Sequence, residues 1–352
     1  MAGASSNKNQ ALLCTGVLSE IRGDWACYKE VFRLPGWNSN AGICFKCYAT
    51  KWDIVAENWQ SIPRKSHWDL LGELREHSSG VTWLGLATRQ ILAFFFVPLS
   101  TMYICISVSP NFLSKVNPIF SCPGVTADTF VVDWLHCSDL GVAQDFLGNL
   151  FHMVLPKLEG NNLKARCSSL YTEILSWCKA NGVSDRLDDL TPGMVKKEGS
   201  KPPKLRSYAA ECKALVPFGV DLANRYLDDG NTVEHTAKQA AQRLNACYSC
   251  LSAETYNPHD MATNCKEFCS LYKALSDTSD GVAWRTKPKL HMFQECCYSK
   301  TRPSTCWTYR DEDFGGYAAK TSRRRGGKST VASTSSNVLD KFMAKYKLPA
   351  VV

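Results

Sequence analysis

Several signatures of common catalytic folds are missing from this sequence. No Walker loop, no G-x-S-x-G elbow and no Rossmann fingerprint appears. P-loop nucleotide hydrolysis, serine-hydrolase chemistry and dinucleotide-dependent redox chemistry are therefore not expected. No internal repeat is present, which argues against a solenoid or propeller. The chain also opens without a basic segment, an apolar core and a small-residue cleavage site, so a secretory leader is not expected. Excess positive charge is absent from the first 284 residues, which sum to one unit negative. From Arg285 onward there are 14 Lys and Arg against 5 Asp and Glu, and the whole net charge of +8 comes from this end. A basic segment confined to one end reads as an anion-facing tail, with nucleic acid the commonest partner, or else as a solvated tail with none.

What is present fits a globular chain of 352 residues, 45% hydrophobic and 21% charged. Seventeen cysteines would suit a disulfide framework, but the count is odd. Cys167, Cys178, Cys247, Cys265 and Cys269 also fall inside helical patterns, where thiols act as small hydrophobes. A reducing compartment is expected. One uncharged run of 18 residues, 91–108 ("ILAFFFVPLSTMYICISV"), reaches the length of a membrane span. Pro98 interrupts it and Ser and Thr are scattered through it, so a buried or anomalous segment is the preferred reading, with a single membrane span as the alternative.

The pattern predicts a strand running into "RGDW" and ending at Asp24. A helix over "WACYKEVF" follows, stopped by Pro35-Gly36. "HWDLLGELREH" reads as a short amphipathic helix. "DTFVVDW" reads as a buried strand, and a long helix from Trp134 carries Leu140, Leu147, Leu150, Phe151 and Val154 on one stripe. Further helices are expected at about 161–180, 232–252 and 260–276, with "PKLHMFQECCY" as another short element. "TPGMVKKEGSKPPKLRS" is expected to be a flexible connection, and the C-terminal end to be disordered.

Three motifs carry possible chemistry. Cys44 and Cys47 have the C-x2-C spacing that lets two thiolates grip one zinc ion. His67 and His77 downstream, or Cys14 and Cys27 upstream, are candidates to complete the set; two free buried thiols are the alternative. Asp133 and His136 stand three apart, so on a helix they share a face. The carboxylate there can orient the imidazole or help hold a metal, or it can simply cap the helix beside a satisfied core histidine. "YRDEDFGG" (309–316) packs three acids together, suited either to a hard cation or to the dipole of a helix N-terminus.

In order and spacing, "GDWA", "GICFKC", "DWLH" and the late acidic cluster resemble the catalytic region of eukaryotic cut-and-paste DDE transposases, the CACTA-type group and protist transposase-like proteins in particular. The likeness spans residues 15–156 and 283–325. It implies an α+β, predominantly α-helical chain: a truncated RNase H-like core with a Cys-containing insertion and a basic disordered C-terminal tail. The domains implied are 1–84, a partial RNase H-like segment with the Cys knuckle; 85–120, an apolar insertion; 121–318, a helical region; and 319–352, the tail. Asp24 and Glu312 would ligate Mg²⁺ (or Mn²⁺), with Asp133 and His136 beside them. Asp311, Asp313 and Glu295 are alternatives to Glu312. Cys44 and Cys47 would bind Zn²⁺, while Arg323, Arg324, Arg325 and Lys328 would follow DNA phosphates. The family's first catalytic Asp lies upstream of the "GDW" region, and here none of the 23 residues before Asp24 is Asp. Residues 85–118 have no family counterpart. The expectation is a nuclear, transposase-derived DNA-binding protein, as a possible homo-oligomer, whose strand cleavage is impaired by truncation. The alternative is a zinc-stabilised binding module without catalysis.

Overall fold

A computed structural model describes residues 5–7, 10–11, 20–79, 118–313 and scattered positions to 344, apart from residues 35, 37–41, 56–58, 123, 197–198, 200, 280–281 and 300. The chain divides into two units, Met1–Cys306 and Trp307–Val352.

The first unit is mostly helical. Two short sheets are present among the described residues: β1 (Ser5–Asn7) pairs antiparallel with β2 (Gln10–Ala11), and β3 (Ile21–Gly23) pairs parallel with β4 (Phe130–Val132). In the second pair Gly23 stands opposite Val132, so Asp24 and Asp133 are the next residues along two neighbouring strands. α1 (Trp25–Phe32) leaves β3 at once, with the Asp24 carboxylate accepting the Cys27 N–H at its N-terminus. Tyr28 on α1 donates its hydroxyl to the carbonyls of Ile21 and Val131, one on each strand. It thereby fastens the helix across the pair. Tyr28, Phe45, Leu70, Leu74, Phe120 and Phe130 form the core beneath them, with α2 (His67–Ser79) supplying the leucines.

After β4 the chain enters a π-helical segment, Leu135–Ala143, which continues as α3 (Gln144–Val154). A nine-residue π-helix is far longer than the single-turn bulges in which this geometry usually occurs, often at functional sites. It is followed by α4 (Leu163–Ala180), α5 (Pro192–Val195), α6 (Ala209–Tyr226), α7 (Thr232–Ser249), α8 (Pro258–Thr278) and α9 (Pro288–Cys297). Trp134, Phe146, Phe268 and Phe293 stack edge-on and tilted where α3, α8 and α9 meet the π-helical segment.

Two expectations need correction. The segment expected to be a flexible connection packs: Leu205 is fully buried and donates its N–H to the Gln144 carbonyl. The backbone at Lys204 lies so close to Gly148 that an added Cβ would stand 2.3 Å from the Lys204 Cα. α6 has no counterpart in the sequence reading, because Pro217 and Gly219 sit inside it. These residues disfavour a helix locally, and burial of Leu215, Phe218 and Leu222 overrides them. In the second unit residues 309–313 are helical, with the Glu312 N–H bonded to the Thr308 carbonyl. Among the described residues no helix is long and apolar enough to cross a membrane; residues 91–108 lie outside them.

Candidate metal centre

The C-x2-C turn is built by its backbone. Ile43 N–H bonds the Ala49 carbonyl, and Lys65 N–H bonds the Lys46 carbonyl, so the turn is folded back on residues 63–65. Gly42 is required at its entry: its φ is +114°, and a Cβ there would meet the Ala49 oxygen at 2.8 Å. The Lys46 N–H points at the Cys44 sulfur, 3.2 Å away, and so stabilises negative charge on that thiol. Lys65 anchors the turn from below, its ammonium bonded to the Cys44 carbonyl at 2.7 Å and to Glu73.

The missing ligands come from α9. His291 and Glu295 stand four apart on that helix, so they share a face. Cys44, Cys47, His291 and Glu295 form one buried group whose ligand atoms all lie within 4.8 Å of one another. The Cys47 sulfur is 3.3 Å from His291 Nε2, the Cys44 sulfur is 3.8 Å from Glu295 Oε1, and Nε2 lies 3.6 Å from that oxygen. The hydrogen bond from Cys44, helped by His291, pulls the Cys47 thiol down to about 5 against the opposing effect of burial. Burial, foremost, pushes the Cys44 thiol up. Arg64 grips Glu295 with Nη1 at 2.7 and 2.6 Å from its two oxygens. Two thiolates, one carboxylate, a divalent ion and this guanidinium sum to zero charge, which suits a buried site. Two sulfurs, one imidazole and one carboxylate is a borderline-soft donor set matching zinc, with no place for a hard cation.

Of the four residues suggested from sequence to complete this site, the two that are described, His67 and Cys27, do not join the group. His67 stacks edge-on against Trp68. Cys27 sits half-buried on α1, Cys14 lies outside the described residues, and so does the side chain of His77. His291 is not among the residues the sequence singles out. Its local signal is the H-x3-E spacing on a short element, and in the sequence Glu295 stands as an alternative to Glu312.

Beside this group lies a second constellation. Asp133 accepts the N–H groups of Leu135 and His136 at 3.2 and 3.0 Å, and its Oδ2 is 2.5 Å from His136 Nδ1. Asp24 Oδ2 stands 4.0 Å from the other ring nitrogen. Asp133 is therefore both a helix cap and the partner that orients the half-buried imidazole. The imidazole stands between two strand-end carboxylates, each of which caps its own helix. This arrangement gives the expected Mg²⁺ no support, and the expected ligand pair Asp24 and Glu312 falls in two different units. Glu312, Asp311 and Asp313 are exposed in the other unit, and Arg323, Arg324, Arg325 and Lys328 lie outside the described residues. No family model, no curated protein and no solved structure matches the chain.

Proposed function

We propose that this chain is a transposase-derived nucleic-acid-binding protein, nuclear in location, whose fold is closed by one structural zinc ion. The observation that carries the zinc assignment is the buried group Cys44, Cys47, His291 and Glu295, drawn from segments more than 240 positions apart. An ion there fastens the knuckle to α9 and so holds β3 and β4 over the helical region. The nucleic-acid part is supported by the order of "GDWA", "GICFKC" and "DWLH" and by the basic C-terminal charge. The adjacent ends of two parallel strands, where Asp24 and Asp133 sit, add to it, since ligands of open parallel sheets gather there. The protein works as a binder: the Asp24–His136–Asp133 arrangement orders the strand ends and does not run a two-cation cleavage.

The test is in two parts. Zinc quantified on purified protein gives one equivalent per chain, lost in Cys44→Ser/Cys47→Ser. Duplex DNA binding is tight at low salt and weakens steeply as salt rises, while no nicking appears with Mn²⁺ or Mg²⁺. Nicking by the unmodified chain that disappears in Asp24→Ala and Glu312→Ala refutes the binder reading. Zinc without any DNA binding favours the second reading, an interaction module; the capping of both strand-end carboxylates is the observation on its side.

A further inference from the structure

The described cysteines are all free thiols, and most of them pack as small hydrophobes inside the helical region. Cys137 and Cys296 are placed differently. Cys137 lies in the π-helical segment one position after His136, and Cys296 lies on α9 one position after Glu295. Their sulfurs face each other at 3.5 Å. The Cys296 sulfur also stands 3.3 Å from the Val132 carbonyl, so the pair sits where α9, the π-helical segment and β4 come together.

We infer that Cys137 and Cys296 form a redox-active dithiol, a modification site that hydrogen peroxide converts into a disulfide joining the π-helical segment to α9. A disulfide holds its sulfurs about 2.05 Å apart, so from 3.5 Å each sulfur has to move by less than about 1 Å. Rotation about the two Cα–Cβ bonds supplies a movement of that size. Access separates this pair from the other thiols in contact. Cys247, Cys265, Cys269 and Cys297 also touch one another, but α7, α8 and α9 enclose them and their exposure is 0–2%. Cys44 and Cys47 belong to the metal group. Cys296, by contrast, lines a cavity of about 180 Å³ together with the exposed Asp128. Cys137 lines the smaller cavity of Asp24, Asp133 and His136, about 30 Å³ in volume. Hydrogen peroxide is little larger than water, and a space of this order holds one such molecule.

The hydrogen bond to Cys137, with burial adding to it, holds the Cys296 thiol well above its ordinary value. Cys296 therefore keeps its proton and offers it to the Cys137 sulfur, which is the nucleophile of the pair. That sulfur attacks one peroxide oxygen and the O–O bond breaks, giving a sulfenic acid on Cys137 and one water. The Cys296 sulfur then attacks the Cys137 sulfur and the S–O bond breaks. The departing hydroxide leaves with the Cys296 proton as a second water. Two thiols become one disulfide, and the peroxide is reduced to two waters. A dithiol reductant reverses the change, as suits a redox-sensing pair in the reducing compartment that the cysteine usage implies. The bond ties the residue after His136 to the residue after Glu295, and so fixes the strand ends to the helix that supplies the metal group.

The experiment uses the full chain as purified. Hydrogen peroxide is added, the remaining thiols are alkylated before the protein is unfolded, and peptides are mapped without reductant by mass spectrometry. The expected product is a peptide pair joined through Cys137 and Cys296, two hydrogens lighter than its parts and separated by dithiothreitol. Cys137→Ala and Cys296→Ala should each abolish it, and Cys297→Ala should keep it. Fragment spectra of the unmodified chain place the bond even where an alanine variant misfolds. Recovery of Cys137 and Cys296 as alkylated thiols, whether or not peroxide has joined Cys44 to Cys47, overturns the inference. So does a bond from Cys296 to Cys306, which lines the same cavity, or one that disappears in Cys297→Ala.

Discussion

Replacing His291 by Ala tests how much the metal group contributes to the fold. The substitution leaves the C-x2-C turn intact but removes one of the two ligands that α9 supplies, and so weakens the ion's hold across that link. Cys47 and His291 stand 244 positions apart. Treated as the ends of a cross-link, they give a loop-closure term of about 5 kcal/mol at room temperature. That is a large share of the roughly 5–15 kcal/mol by which a domain is stable. At about 2 °C per kcal/mol for a chain of this size, the melting temperature should fall by about 10 °C. The assay is a thermal melt by circular dichroism, with and without a strong chelator. Chelation should lower the unmodified chain by about this amount and should move His291→Ala less, because the variant starts with a weakened site. If the chelator leaves the unmodified chain unchanged while His291→Ala still melts early, the loss is one of packing alone, and the cross-link argument is refuted.

Other consequences follow from single residues. Gly42→Ala forces a side chain into a left-handed backbone position against the Ala49 carbonyl; it should cost more than about 1 kcal/mol and weaken zinc retention in a competition titration. Asp133→Ala strips two N–H caps and the imidazole's partner, and should cost about 1–3 kcal/mol in urea unfolding, whereas Asp133→Asn should recover much of it. Acid should destabilise the fold through His67, held below the ordinary histidine value by burial. Below about pH 6.5 the unfolded chain binds protons that the native chain does not, so stability falls as pH falls. His67→Gln should show a shallower decline between neutral and mildly acidic pH, and an equal decline would contradict the burial argument.

The parts of this fold legible in the sequence are the local ones. α1 runs over the residues its spacing predicted, stopped after Phe32, and Asp24 sits after a strand as expected. Half of the metal group was visible because two thiols three apart need only a turn to meet. The other half was not, because His291 reaches Cys47 only through the long-range pairing of α9 with the knuckle. No local period encodes that approach. The π-helical segment was hidden for a related reason. Its residues carry helical propensity, and its wider turn is sustained by Lys289 and Lys204 on its carbonyls, with Gly141 leaving room where a Cβ would lie 2.7 Å from the Lys289 side chain. The wider turn also explains why Leu140, expected on the buried stripe, is only half-buried while Leu147, Leu150 and Val154 are fully buried. Pro217 misled in the other direction: a residue that breaks isolated helices is tolerated in α6 because its neighbours are buried on several sides.

The most direct measurement is X-ray absorption at the zinc edge on the purified chain. The account predicts one zinc per chain with two sulfurs at about 2.3 Å and two nitrogen or oxygen ligands at about 2.0–2.2 Å. It also predicts that one light-atom ligand is lost or replaced in His291→Ala and in Glu295→Ala. A chain without stoichiometric zinc, or a sulfur-only shell indifferent to both substitutions, would contradict it.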